Sequence, residues 1–494
     1  MAFEYFDSKE GVKTVKANGL FLHSSYAPLK EAERFAQSQK APFEPEYIVI
    51  TEPALSYCLP YLRKIFPNAK IGAIRYCKEF SAQNSDFDFV FTSNNLNNLK
   101  NTLLNYFTEE NLFSVFFMSW PASEKAFPEE NKLAWTQIKE ALDTAKTLLV
   151  TRQFFEKKWL INTANFIKYT NNFYTLKKYN SPVIVAASGP SLKDILPILK
   201  NIQSNFIIIA LSSAISVLLH NGITPDFCIS TDGGYWAGEH LKKLLNTKLP
   251  LALSCEAYCK KEILQNSKII PLNYSDGMSA ELCKNTNIPF IKASRNGTVS
   301  GTALELALNL TASEVYFTGL DLCSQNGFQH TQPNELEINT IITDNKISSK
   351  EKRLARASFK NESLKIYEDW FKTQKLSAGK VFRIISSDLK KNYLGQIKDI
   401  SPKDFENTAK SYKNKKDFDL EKAAAISAKE KSEILTKLYD LIEQKSQTEE
   451  WKKSIFPLDY VALKHNPSNL ENKEKLEKEN SRLVKKLQKI LKDE

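Results

Sequence analysis

Four short stretches of the chain place hydroxyl, glycine and acidic residues where they could hold a phosphorylated substrate. In "VIVAASGPSL" (183–192) an apolar run ends in Ser188, Gly189, Pro190 and Ser191, and an amphipathic segment follows. Such a turn at a helix start presents backbone N–H groups to an anion. Pro190 suits the first helical turn, and Ser191 can cap it. The same residues would also serve a plain strand-to-helix connection. In "IIIALSSAISVLLHNGITPDFCISTDGG" (207–234) two apolar runs end in Ser212 and Ser213, then in Thr231 and Asp232. Asp232 suits a ribose hydroxyl, a substrate, a metal ion, or a simple cap before the glycine turn. In "RNGTVSGTALELALNL" (295–310) Thr298, Ser300 and Gly301 open an apolar helix and offer a second anion site. In "VYFTGLDLCSQNGFQHT" (315–331) a strand leads into a loop with Asp321 and His330, one of five histidines in the chain. An imidazole beside two anion-type turns suits proton transfer or phosphate binding.

These stretches need a scaffold. Between 181 and 400 the apolar runs 183–187, 205–211, 227–231, 251–255, 268–273, 289–293, 314–320 and 380–386 alternate with helical patterns. That alternation predicts a doubly wound, mostly parallel sheet with a Rossmann-like order, whose ligands sit beyond the carboxyl ends of the strands. Ten of the 15 glycines fall between Gly189 and Gly327, which marks the same window. Before it, "EYIVI" (46–50), "AKIGAI" (69–74) and "SVFFMSW" (114–120) predict strands of a smaller α/β domain, with a helix at 56–66 and a helical connector at 135–179. No glycine follows Gly395, and the Lys/Glu/Leu-rich tail predicts helices. The expected domains are therefore 1–160, 161–400 and 401–494.

With 68 Lys and Arg against 57 Asp and Glu, the net charge is +11, but the lysines are interspersed with acids. That pattern predicts a solvated surface and no nucleic-acid partner. Apolar runs are too short for a transmembrane segment, and the first residues lack an apolar core of a signal peptide. The seven cysteines form no disulfide framework, and Cys255 with Cys259 is at most half a zinc site. A cytoplasmic protein without a resident metal is expected.

Two resemblances join these motifs. "FLHSSYAPLKEAERFA" (21–36) resembles the N-terminal signature of the Maf (motility-associated factor) glycosyltransferases, which modify flagellin. "ASGPSL", "GITPDFCISTD", "GTALELAL" and "TGLDL" resemble the central domain of the same family, which in turn resembles bacterial sialyltransferases using CMP-sugar donors. The resemblance implies a metal-independent transferase, with no cofactor, that moves a nonulosonic acid from a CMP donor to Ser or Thr of flagellin. Ser188 stands where the sialyltransferases have a nucleotide-contacting Asn, and Gly189, Pro190 and Ser191 match their turn. Ser300 and Gly301 match their second donor turn, Asp321 matches the acid of their later motif, and His330 falls in the loop of a phosphate-contacting Tyr. Their general-base histidine lies further on, whereas here no histidine follows His330 until His465. His330 and Asp232 are thus the two candidates for the base.

The first domain departs from the Maf pattern, with "ITEPALSYC" (50–58) in place of a glycine-rich turn, so an accessory role is expected there. Two other functions fit parts of the pattern. The central domain's wider family includes pterin pyrophosphokinases, which would need Mg²⁺ and clustered carboxylates; Asp232 is followed by two glycines instead. A non-catalytic flagellin-binding protein is the third reading.

Overall fold

The structure, a computed structural model, describes residues 3–92, 96–284, 286–323, 330–335, 345–347, 349, 362–386, 389 and 392–492. Two compact units emerge: residues 1–156 with 445–482, and residues 157–444 with 483–494. The segment 401–494 thus contributes to both.

In the first unit, β1 (Phe3–Asp7), β2 (Lys13–Ala17) and β3 (Leu20–Phe21) form an antiparallel sheet that hydrophobic periodicity did not suggest. After α1 (Pro28–Ser38) come β4 (Tyr47–Thr51), α2 (Leu59–Ile65), β5 (Lys70–Arg75) and β6 (Phe89–Thr92). Then follow α3 (Leu99–Tyr106), α4 (Glu109–Leu112), β7 (Val115–Ser119), α5 (Pro121–Ala126) and the long α6 (Pro128–Tyr169). The parallel order is β6-β5-β4-β7. Ile48 and Ile50 pack into one apolar cluster and Val49 into another, as the alternation of side chains along a strand requires.

The second unit takes α6 from Lys157 on, and then β8 (Asn172–Thr175), a strand inside the expected helical connector. It continues through β9 (Val183–Ala186), α7 (Leu192–Ile202), β10 (Ile207–Leu211), α8 (Ile215–His220), β11 (Phe227–Ser230) and α9 (Tyr235–Leu241). Next come β12 (Leu251–Ser254), α10 (Lys261–Asn266), β13 (Ile269–Asn273), α11 (Gly277–Cys283), β14 (Ile291–Lys292), α12 (Val299–Leu310) and β15 (Val315–Thr318). A helix at Glu362–Thr373 precedes β16 (Val381–Ile384) and β17 (Lys398–Ile400), and β18 (Glu421–Ala425) lies within the stretch expected to be helical. The sheet order is β17-β16-β15-β9-β10-β11-β12-β13-β8-β18, with β14 paired to β13 and only β18 antiparallel.

Every residue of β9, β10, β11 and β12 is buried. A strand covered on both faces needs an unbroken apolar run, which is why these segments were legible. The chain steps outward from β9 to β13 and returns through α12 to β15 on the other flank of β9. The sheet order therefore reverses at β9, between β10 and β15, where open α/β sheets leave a crevice at their carboxyl ends.

Candidate functional site at the strand ends of the second unit

The turn after β9 is bound to the turn after β15. Gly189 N donates to Gly319 O (2.9 Å), and Ala187 N to Thr318 O (2.8 Å). A Cβ on Gly189 would lie 2.4 Å from Gly319 O and 2.7 Å from an Asp321 carboxylate oxygen. Gly319, at φ +69°, would meet Ala187 O at 2.2 Å. Both glycines are thus required by backbone apposition.

Asp321 completes this latch. It is buried, and its carboxylate accepts Ser191 N (2.6 Å) and Ser191 Oγ (2.5 Å). Burial pushes its carboxyl above the ordinary range, while the Ser191 bonds pull it back. The anion at the start of α7 is therefore the protein's own carboxylate. Asp321 and Ser191, both expected at a donor, are committed to each other, and Ser191 makes no side-chain cap to α7.

Beside the latch lies a hydroxyl pair, Ser188 Oγ to Ser213 Oγ at 2.8 Å. Ser212 is buried next to it at the end of β10. Residues 330–335 cross this point as a strap. Thr331 donates from N to Ser188 O (2.7 Å) and from Oγ1 to Gly189 O (2.7 Å). Asn334 Nδ2 donates to Ser213 O (3.1 Å). Glu335 meets His240 Nδ1 on α9 at 3.1 Å and also accepts from Ser216 Oγ on α8. Burial works against the Glu335 carboxylate, but its His240 and Ser216 partners hold it below the ordinary range.

The strap sets His330 next to the β9 turn. Burial, with a smaller contribution from His240, lowers His330 to about 4, so its imidazole is uncharged near neutral pH. An uncharged ring can accept a proton, whereas a protonated one would pair with phosphate. His240 and Glu335 were missed in the sequence because they lie 95 residues apart and neither falls in a strand-end motif.

The remaining candidates follow β11 and β14. Asp232 is exposed after β11; its carboxylate accepts Gly234 N (2.8 Å), and its carbonyl accepts Tyr258 N (3.0 Å). Thr298 is at the N-cap position of α12, but its side chain makes no cap bond, while Ser300 is buried in the first turn. A Cβ on Gly301 would approach Trp370 at 2.9 Å, and the charge of Asp232 is felt at Tyr367. Both aromatics belong to the helix Glu362–Thr373, which therefore borders the α12 start and the β11 turn together.

An ionic clamp on the buried Glu256 braces these turns. Arg295 bonds both Glu256 oxygens (2.8 and 2.7 Å) and Asp276 (2.8 Å), between the rings of Trp159 and Tyr274 at 4.6 and 4.7 Å. With two carboxylates on one guanidinium, the clamp fixes loops and carries no spare positive charge for phosphate. Among the described residues no three His, Cys, Asp or Glu side chains converge as a metal centre. Gly327 lies outside the described residues.

Comparison with known proteins places this architecture. Residues 157–327 match the family described as 6-hydroxymethylpterin diphosphokinase MptE-like. An uncharacterized protein of Treponema pallidum (strain Nichols) is 27% identical over 346 residues, 70% of this chain and 76% of that one. The Maf glycosyltransferase structure from Magnetospirillum magneticum AMB-1 superposes with a TM-score of 0.56 at 13% identity, covering 99% of this chain and 90% of that one. The resemblance read from the motifs thus holds at the level of domain and fold: residues 157–327 match the MptE-like family model, and the chain shares the fold of the Maf glycosyltransferase structure.

Proposed function

We propose that the strand-end crevice of the second unit is the active site of a cytoplasmic glycosyltransferase. Its donor is a CMP-activated nonulosonic acid of sialic, pseudaminic or legionaminic type, and its acceptor is a Ser or Thr hydroxyl of flagellin. The observation that carries this reading is the strap: it anchors Thr331 on Ser188 and Gly189 at the reversal of the sheet, so that the uncharged His330 immediately precedes a residue bonded to the turn that carries the Ser188–Ser213 hydroxyl pair. In the transfer, the bond from the anomeric carbon to the phosphate breaks and CMP leaves with the electron pair. The acceptor oxygen bonds to that carbon and gives its proton to His330, with Asp232 as the alternative acceptor. Thr298 and Ser300 at the start of α12, with Ser188 and Ser213, face the donor phosphate, where hydrogen bonds to charge are worth about 1.5–3 kcal/mol each. Asp321 acts at one remove, by fixing the β9 turn through Ser191. In this reading the donor is a substrate, and the step needs neither metal nor cofactor.

The test is ligand-induced stabilisation. CMP at 100 times its dissociation constant should add about 2.7 kcal/mol to unfolding. Stabilisation by ATP with Mg²⁺ and not by CMP would instead select a diphosphokinase, the reading favoured by the family match of residues 157–327. A response to neither, with flagellin still bound, would leave a non-catalytic flagellin-binding protein. Intact-mass analysis of flagellin from cells lacking this chain tests the acceptor directly.

A further inference from the structure

Two large aromatic side chains stand in solvent at the rim of the candidate site. Tyr235 is 63% exposed and Trp236 39%. They begin α9, directly after the turn that carries exposed Asp232. Their ring centroids are 5.5 Å apart with planes at 72°, so together they make a corner, not a flat shelf. One turn on, Glu239 pairs with Lys242, and the Tyr235 hydroxyl lies against Glu239. The rim is thus an apolar corner with the exposed Asp232 carboxylate on one side and the Glu239–Lys242 ion pair on the other.

Resting on the transfer reading above, we propose that the Tyr235–Trp236 corner docks the acceptor polypeptide: a segment with a Ser or Thr hydroxyl, an apolar side chain beside it, and no acidic neighbour. Three observations favour a polypeptide there. Ser188, Ser212 and Ser300 are buried deeper in the crevice, whereas the corner is open, and a protein acceptor must approach from outside. An edge-to-face corner receives a protruding apolar side chain, while a sugar ring stacks on a single flat face. The exposed Asp232 carboxylate can accept the acceptor hydroxyl and disfavours acidic residues beside it in the polypeptide.

The experiment measures binding of unglycosylated flagellin to the full chain by fluorescence anisotropy, beside the thermal shift given by CMP. The exposed double variant Tyr235→Ala/Trp236→Ala should bind flagellin at least tenfold more weakly and keep the CMP shift. Trp236→Phe should retain most of the affinity. Equal flagellin binding by the double variant, or none by the wild type, overturns the proposal. So does a variant that loses only the extra affinity of CMP-N-acetylneuraminate over CMP, since the corner would then hold the sugar. Corner-dependent flagellin binding without any CMP shift would bring down the transfer reading and leave the docking site standing.

Discussion

β4 in the first unit and β9 in the second hold equivalent places. Each is flanked by the next parallel strand of its sheet on one side and a later strand on the other, β5 and β7 in one case, β10 and β15 in the other. Each is followed by a turn that encloses a carboxylate. After β4 that carboxylate is Glu52, fully buried, accepting Tyr76 N (2.6 Å), Cys77 N (2.9 Å) and Arg75 (3.0 Å). Arg75 also donates to Ala54 O and Ser56 Oγ, both at 2.8 Å. Glu52, Ala54 and Ser56 take φ of +37°, +45° and +63°, conformations that cost about 1–3 kcal/mol each. His23 Nε2 accepts Leu55 N (3.1 Å), which completes the plug.

After β9 the carboxylate comes from the neighbouring strand's turn. It satisfies Ser191, and the adjacent hydroxyls and the strap histidine stay at the crevice. Topology alone therefore does not make a site. The first unit fills its sheet reversal with an ion pair and backbone strain. The second ties its reversal shut at the base and keeps serine hydroxyls beside the tie.

The largest effect should come from the latch. Gly319→Val adds a branched side chain at φ +69° with its Cβ 2.2 Å from a carbonyl oxygen. It should cost at least about 4 kcal/mol and unfold the second unit; a native calorimetric transition would show that the two turns can separate. Gly189→Val meets the same obstacle, so it tests the fold before it tests any ligand.

Glu52→Gln strands the buried Arg75 and should cost about 3–5 kcal/mol. Its damage should be confined to the first unit, with the CMP shift intact. A lost CMP response would mean that the β4 turn takes part in binding.

Acid should weaken the plug as well. Burial lowers His23 to about 3, while the unfolded ring titrates near 6.5. The unfolded state therefore binds the extra proton between those values, and the stability due to His23 is full above about pH 6.5 and falls as pH drops toward 3. Melting temperatures measured against pH should show this slope, and His23→Leu should flatten it.

His330→Gln should lower transfer at least about tenfold while leaving CMP affinity nearly unchanged. Weaker CMP binding would assign the residue to the phosphate, and normal activity would leave Asp232 as the base to test. The smallest effect is that of Ser188→Ala, which removes the bond to Ser213 and should cost about 1 kcal/mol of stability. A much larger loss of CMP affinity than of stability would show that the hydroxyl is used on the donor.

The second unit's central strands are legible in the sequence, because a strand buried on both faces must be written as a continuous apolar run. The sequence also located the small residues at the strand ends, because tight turns restrict residue type locally. Strands β8 and β18 escaped because they lie at one margin of the sheet and most of their residues are not buried, so neither carries a continuous apolar run.

Only the tertiary structure decided what each turn residue does. Ser191 reads as a cap or an anion contact until Asp321, 130 residues later, fills the position. His330 reads as a lone loop histidine until Glu335 ties its strap to His240 and Ser216. Helix periods and turn preferences act over a few residues and so are recorded in the local sequence. The pairing of a carboxylate with an N–H a hundred residues away depends on which strands become neighbours, and the sheet settles that only once it has formed.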